Sequence, residues 1–493
     1  MKKILNLFLI TALALCCLFN FSACTQTNTY VARPMESAKI EEFGLCVGKN
    51  STQKNQIISA MNKVILEQDI ESAVEYYNAL ALGETPKNSV EMADLTKCKG
   101  EAIKVYTCSG FEPYEFLNDE GKIIGVDIWL MSHVCKELDR KMQVIDMDFD
   151  GIVAKIYTED NAVGAAGITI DEERKKTVEF SIPYYSSVQY IISTTNQSYT
   201  NLTQLNGLCV GVQKGTTGAI MIDKDGKKQG ITSKEYNTAA EAFSAMKAGK
   251  CDVLLIDALP ALRLVASNEK TSFYNSFIVG NQWVWYIEGI LKTLAISLGA
   301  VFIGCVIGLF VAFIKYLNKK YQSFKILSKL CDLYITVIRG TPVYLQLLIM
   351  AFIVLVSAEE IWIAVITFGI NSGAYVAEII RAGLESVDDG QLEAGSSLGL
   401  NRFIVMKDIV FPQAIRHSLP PLCNEFIALI KETSIVGVIG IIDITKVAAR
   451  IVAKTYEPFL PYIISAIIYL IIVIILTRLL KLLERRLAKS DRK

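Results

Sequence analysis

Two rhythms divide the chain. Residues from about 30 to 283 alternate short apolar and polar stretches, whereas residues from about 286 to 482 are mostly long apolar runs. A helix crosses a bilayer with about 20 mostly apolar residues. The second part therefore predicts about five spans: Ile290 to Leu317, Val343 to Val356, Ile361 to Ala382, Phe426 to Ile442 and Phe459 to Leu480. The second span is short and can extend back through Tyr334. The fourth contains Lys431 and Glu432, ionisable groups that must pair or face a cavity. In the first part, AIKVYT and MQVIDMDF predict strands, while GVDIWLMSHVCKEL and the stretch near Ile152 to Tyr157 predict helices. This βαβ alternation predicts an α/β fold with a largely parallel sheet. Ligands of such folds sit at the carboxyl ends of strands.

The first 24 residues have Lys2 and Lys3, then an apolar stretch and small residues, a secretory signal pattern. Ser22-Ala23-Cys24 resembles a bacterial lipoprotein cleavage site, with Phe21 where leucine is usual. A plain signal peptide and an uncleaved anchor are the other readings, and all three export the residues beyond Cys24. Formal net charge is +0, which gives no case for nucleic-acid binding. Its distribution says more. Lys315, Lys319, Lys320, Lys325 and Lys329 follow the first span, and Lys481, Arg485, Arg486, Lys489, Arg492 and Lys493 form the tail. Between the second and third spans there are only Glu359 and Glu360. The positive-inside tendency puts the first link and the tail in the cytoplasm. Five spans from an exported first half also end there. Leu392 to Ala414 then faces the cytoplasm. Gly399-Leu400-Asn401 predicts a turn within it, followed by an apolar-rich segment stopped by Pro412.

Six of the 12 cysteines lie in the exported part: Cys46, Cys98, Cys108, Cys135, Cys209 and Cys251. The number permits pairing and the compartment favours it, but the sequence assigns no pairs. His133 and His417 are the only histidines and no CxxC occurs, so no metal site and no cofactor are expected. Gly44-Leu45-Cys46-Val47-Gly48-Lys49-Asn50 has one residue too few between its glycines for a phosphate loop, and Asn50 stands where Ser or Thr is needed.

Glu393, Ala394 and Gly395, then Gly399, Ile409 and Pro412, resemble the EAA loop of bacterial ABC importer permeases. The family's usual third residue is alanine, and its usual leucine before the proline is Phe411 here. Arg339-Gly340-Thr341-Pro342 and Lys431-Glu432-Thr433-Ser434 resemble the polar amino acid branch. The resemblance covers nearly all of residues 286 to 486. It implies a transmembrane permease domain whose loop docks on a separate ATPase chain, and two copies packed around a central path. Asn371, Tyr375 and Glu378 are four and three residues apart, so one helical face can carry all three. They either line the substrate path or form a structural polar network, with Arg381 beside them.

The order CSGFEPYEF, GVDIWL, MDFDGI, GITIDEERKKTVEFSIPYY, VGVQKGTTG, CDVLLIDALPA resembles family 3 periplasmic amino-acid-binding proteins. The resemblance implies a two-lobed amino-acid-binding domain over residues 100 to 281. Arg174 would hold the ligand's carboxylate, as a guanidinium can in two parallel hydrogen bonds. Asp257 would take its ammonium, with Gly167, Thr169 and Thr217 around both. Phe111 and Phe149 would pack on its side chain. Cys108 departs from the acidic residue found in several relatives, which argues against a cationic ligand. The family's usual ending is missing before the membrane, yet residues 36 to 96 resemble it. Ile57, Ile58, Met61, Val64, Ile65 and Ile70 give that segment an apolar helical stripe. It reads either as a circular permutation or as the remnant of a duplicated domain.

The expectation is ATP-driven amino acid import, with receptor and permease fused and no enzymatic activity in this chain. A ligand-gated channel or an amino acid sensor would use similar parts. The channel reading lacks a selectivity filter such as TVGYG. An enzyme reading fits neither the spans nor the loop.

Overall fold

The computed structural model describes residues 29–36, 38–267, 281–455 and 458–490. The signal-like segment 1–24, with Cys24, lies outside the described residues, as do Arg492 and Lys493. The N-terminal segment forms strands β1 (Tyr30–Pro34), β2 (Glu41–Phe43) and β3 (Cys46–Gly48), then helices α1 (Lys54–Glu67) and α2 (Ile70–Leu82). Asp69 caps α2 by accepting from the Ser72 amide, and Gly83 closes it at φ 70°. Buried Ile57, Met61, Val64 and Ile65 are the core face of α1.

Next come β4 (Gly100–Thr107), the short ribbon β5 (Phe116–Leu117) and β6 (Ile123–Ile124), α3 (Val126–Glu137), β7 (Arg140–Asp146), α4 (Phe149–Thr158), β8 (Ala162–Gly164) and β9 (Val178–Phe180). The chain then crosses through β10 (Tyr185–Ser187) and β11 (Gln189–Thr194). A second lobe follows, with β12 (Cys209–Gln213), α5 (Thr217–Met221), β13 (Thr232–Tyr236), α6 (Ala239–Lys247), β14 (Val253–Asp257) and α7 (Ala258–Ser267).

One five-stranded sheet has the order β7-β4-β8-β3-β9 and the other β1-β11-β14-β12-β13. Each is mixed rather than largely parallel. Strands β4, β7 and β8 run parallel, as do β12, β13 and β14, but β3 is antiparallel to both its neighbours and β11 to both of its own. The N-terminal segment supplies a strand to each sheet, and β2 pairs antiparallel with the crossing strand β10. The glycine-dotted stretch before Asn50 is therefore strand, not phosphate loop. A Cβ on Gly48 would stand 2.2 Å from the Ile156 carbonyl, so glycine lets β3 lie against α4. The six cysteines of this half are all free thiols.

The helical half contains α8 (Trp283–Tyr321), α9 (Lys325–Gly340), α10 (Val343–Ile349), α11 (Glu360–Glu385), α12 (Asp389–Ser397), α13 (Arg402–Ile404), α14 (Phe411–Glu432), α15 (Ile444–Thr455) and α16 (Phe459–Ser490). Among the described residues three helices, α8, α11 and α16, are long and apolar enough to cross a membrane. A fourth crossing results if α9 and the stretch from Val343 to Val354 count as one broken span, bent by 105°. Pro342 accounts for the break. It disfavours helical backbone at the preceding residue, and Thr341 sits at φ −117°, ψ 144°. The expected span at Phe426 to Ile442 is not one helix: α14 ends at Glu432 and a 3-10 segment, Thr433–Ile439, follows. The charged pair Lys431-Glu432 and two interior prolines, Pro420 and Pro421, leave α14 too polar and too irregular to count as an apolar span.

Candidate ligand site and the two ends of the helical bundle

Between the lobes lies a small cavity lined by Cys108, Phe111, Glu115, Phe149, Ala166, Gly167, Thr169, Arg174, Gln213, Thr216, Thr217 and Asp257. All seven residues singled out in this half are among them. Most stand at strand ends, on the loops that follow β4, β8, β12 and β14. Gly167 has φ 55°, and a Cβ there would come within 2.6 Å of the Phe111 ring. That glycine gives the ring its place.

Arg174 opens a 3-10 turn (Arg174–Lys176). Its Nη1 donates to the Thr169 carbonyl at 2.8 Å, and its Nη2 crosses to the second lobe, donating to Gly215 O at 3.0 Å. Asp171 stands 3.3 Å from its Nε, and the guanidinium lies 5.5 Å from the centre of the Phe149 ring. Lys214 and Asp150 join the lobes a second time at 2.5 Å. The lobes are thus closed on one another. Asp257 ends β14 fully inside, and its Oδ1 has no hydrogen-bond partner among the described residues. Burial pushes its carboxyl up, and the Glu41 carboxylate pushes it further.

Glu41 escaped the sequence reading. It comes from β2, is buried, and accepts hydrogen bonds from Thr169 Oγ1 at 3.0 Å and Thr217 Oγ1 at 2.6 Å. The two hydroxyls expected around a ligand are thus held by a carboxylate of the N-terminal segment. In β2 Glu41 and Phe43 point inward and Glu42 outward, an alternation too short to read from three residues of sequence. Glu115 was missed too. It is 0% exposed, and neither carboxylate oxygen has a partner among the described residues. Cys108 lies in the same wall, its sulfur 3.7 Å from the Gln213 amide nitrogen, and burial pushes its thiol well up.

The helical half meets this domain chiefly through α15. Lys446 pairs with Asp148 at 3.2 Å, Arg450 with Asp146 at 3.4 Å and Lys454 with Asp119 at 2.7 Å. Arg450 also donates to the Gly121 carbonyl. A Cβ on Gly110, next to Phe111, would come 3.0 Å from Ala453. Glu360, at the start of α11, reaches Lys104 at 3.6 Å, and Tyr462 of α16 donates to Glu241 at 2.6 Å. Glu241 lies on α6 of the second lobe, so both lobes touch the bundle.

The opposite ends of α8 and α11 hold the loop from Asp389 to Phe411. Lys320 pairs with Asp389 at 2.9 Å, and Tyr316 donates to the sulfur of Met406 at 3.7 Å. A helix of 39 residues is about 58 Å long, so the cavity and the loop lie far apart. Here α12 carries Glu393, Ala394 and Gly395, Gly399 turns the chain at φ 75°, and a second helical segment follows. Pro412 does not stop that segment. It lies one residue into α14, and residues Val405–Val410 lead into it as a continuous π-helical stretch, a local widening that accommodates a residue without an N–H. Gly395 is buried against Val405, whose Cγ2 would lie 2.8 Å from an added Cβ; Ile409 Cδ1 would be 3.5 Å away. That contact accounts for glycine in place of alanine. Leu398, Phe403 and Phe411 are exposed.

Asn371, Tyr375 and Glu378 all turn toward neighbouring helices of the bundle. Asn371 donates to Gln346 of α10 at 2.9 Å, and Arg339 of α9 lies 5.0 Å from the centre of the Tyr375 ring. Glu378 pairs with Lys315 at 3.0 Å and Arg381 at 2.6 Å.

Two family models match. Residues 304–489 match the binding-protein-dependent transport system inner membrane component, and residues 103–219 match the bacterial extracellular solute-binding proteins, family 3. The putative glutamine transport system permease protein GlnP of Rickettsia prowazekii (strain Madrid E) is 39% identical over 208 residues, covering 41% of this chain and 93% of that protein. The chain belongs to the amino acid ABC transporter permeases. This permease is also 40% identical over 209 residues to the arginine transport system permease protein ArtQ of Bacillus subtilis (strain 168), covering 42% of this chain and 95% of that one. A solved amino acid ABC transporter with histidines is 40% identical, covering 44% of this chain and 99% of that chain at a TM-score of 0.40. In the permease, unlike those relatives, a family 3 solute-binding domain precedes the transmembrane helices in the same chain.

Proposed function

We propose that the chain is receptor and channel-forming subunit of an ATP-driven amino acid importer, with the ATPase supplied by a separate protein. One observation carries this reading: a closed polar cavity and an exposed EAA-type loop sit at opposite ends of the same long helices. The binding domain lies outside the cytoplasmic membrane and the loop inside it. Arg174 holds the substrate's carboxylate, and Asp257, whose Oδ1 has no other partner among the described residues, holds its ammonium. Phe111 and Phe149 flank the side chain. The loop, with Glu393, Ala394, Gly395, Gly399, Ile409 and Pro412, receives the ATPase's motion on exposed Leu398 and Phe403. Two copies assemble around the transport path.

Residues 36 to 96 complete the binding domain as a circular permutation. The support is their pairing: strands of the N-terminal segment enter both sheets, and Glu41 reaches the cavity. A duplicated remnant would have no such need. Strand β1 starts before residue 36, so the completing segment extends from about Tyr30.

The test is uptake of labelled amino acids into proteoliposomes holding the full chain and a partner ABC ATPase. Uptake requires ATP inside, and Glu393→Lys abolishes it while leaving substrate affinity within about twofold. Uptake that continues without ATP would sink the importer reading in favour of a channel.

A further inference from the structure

The side chain of Glu115 has no task within the described residues. It lies in the cavity wall beside Cys108 and Phe111, and both its carboxylate oxygens are buried without a hydrogen-bond partner. Its backbone is pinned: its N–H donates to Phe111 O, and its carbonyl accepts from the amides of Gly110 and Phe111. The carboxyl group itself is fully buried, out of reach of water. An unpaired buried polar group costs free energy that a partner recovers.

The charges around it decide the partner's sign. Its charged neighbours are Asp127, Glu112 and Asp146, all carboxylates. Asp127 is occupied by the Gly167 amide at 2.9 Å and the Tyr184 hydroxyl at 2.6 Å, and Asp146 by Ser109 and Arg450. Cys108, Tyr114 and Tyr184 stay neutral, each pushed up by burial. Among the described residues the one cation in the cavity lining is Arg174, which the amino acid reading assigns to the ligand's carboxylate. That leaves Glu115 without a cation in the lining, and an acidic ligand side chain would find no cation to answer it there.

We infer that Glu115 is the specificity residue for a substrate with a cationic side chain, an α-amino acid ending in a guanidinium or ammonium group. This rests on the amino acid reading of the cavity and revises what Cys108 alone suggests: the acidic group sits seven residues further along, on the same wall. The two phenyl rings suit such a ligand, since each offers a π face to a cation or its aliphatic stem.

Burial and the neighbouring carboxylates raise the pKa of Glu115 well above its ordinary value, which disfavours its charged form, and a cationic ligand beside it would favour that form again. Asp257, whose carboxyl is also raised by burial, releases its own proton to solvent when it pairs with the ammonium of any amino acid, so its contribution is common to all ligands.

The experiment is calorimetric titration of the full chain in lipid nanodiscs with L-arginine, L-lysine, L-glutamine and L-glutamate, at pH 7 in two buffers of different ionisation enthalpy. The expected result is that arginine or lysine binds at least about 30-fold more tightly than glutamine, and that glutamate does not bind. The cationic ligand should release more protons than glutamine, because it favours the charged form of Glu115 that burial disfavours. Glu115→Gln should weaken the cationic ligand about 30-fold or more, as removal of one partner of a buried charge pair does, and change glutamine less than about threefold. Glutamine binding as tightly as the cations, equal proton counts, or an unchanged affinity for the cation in Glu115→Gln would each overturn the inference. If the variant fails to fold, the wild-type proton counts decide alone. A chain that binds none of the twenty amino acids would overturn the amino acid reading itself, a different failure from a wrong side-chain preference.

Discussion

The two halves of the molecule place charge to opposite ends. In the membrane domain the ions answer one another: Lys315 meets Asp332 and Glu378, Arg381 meets Glu378 and Glu385, and Lys319 meets Glu385, all within 3.0 Å. In the binding domain the acids of the cavity are left short. Asp257 has a free oxygen and Glu115 has two, counted among the described residues. A closed network holds helices together, whereas unanswered groups around a cavity wait for a ligand. The contrast bears on Asn371, Tyr375 and Glu378, for which path and scaffold were both open. Each already has a partner within the bundle, which favours the scaffold.

The contrast can be attacked at several points. The largest effect belongs to Arg174. Arg174→Ala should weaken amino acid binding by about a thousandfold, from loss of one partner of a buried charge pair, while urea unfolding of the full chain moves little. A merely structural arginine would show the reverse.

The pH dependence is smaller. Asp257 has a raised pKa in the empty site, so at low pH it must lose a proton before it can bind an ammonium. Affinity should therefore rise from pH 6 to pH 8, by no more than about tenfold per unit for this one proton. With a neutral ligand such as L-glutamine, Asp257→Asn should flatten that slope. A slope of the opposite sign would mean that the neutral acid is the binding form.

The smallest effect belongs to the network. Glu378→Ala leaves Lys315 with Asp332 and Arg381 with Glu385, and the group is partly exposed. The loss should be about 1 kcal/mol or less, read as a drop in melting temperature with unchanged KM for uptake. A large change in KM with intact stability would return Glu378 to the substrate path.

The fold and the cavity were legible to different degrees. Seven cavity residues could be named because they stand at strand ends in an order that resembles a known binding domain. Glu41 could not, because a strand of three residues shows too little alternation to separate a buried acid from a solvated one. Glu115 follows a tight turn whose backbone bonds, not its periodicity, aim the side chain inward. Pro412 was misjudged because a π-helical stretch lets the helix run on through it, which only geometry tells. The fourth apolar stretch failed for a related reason: its composition averages a helix with a 3-10 segment. The role of the cations of α15 carried no signal, since nothing in the sequence says that Asp146 and Asp148 lie opposite them.

The most direct test of the central claim is titration of the purified full chain with each of the twenty amino acids in turn. At least one should bind with micromolar affinity or better, and that binding should disappear in Arg174→Ala. If none binds while the chain remains folded, the cavity is not an amino acid receptor. The membrane domain would keep its family, but the roles given to Arg174, Asp257 and Glu115 would fall together.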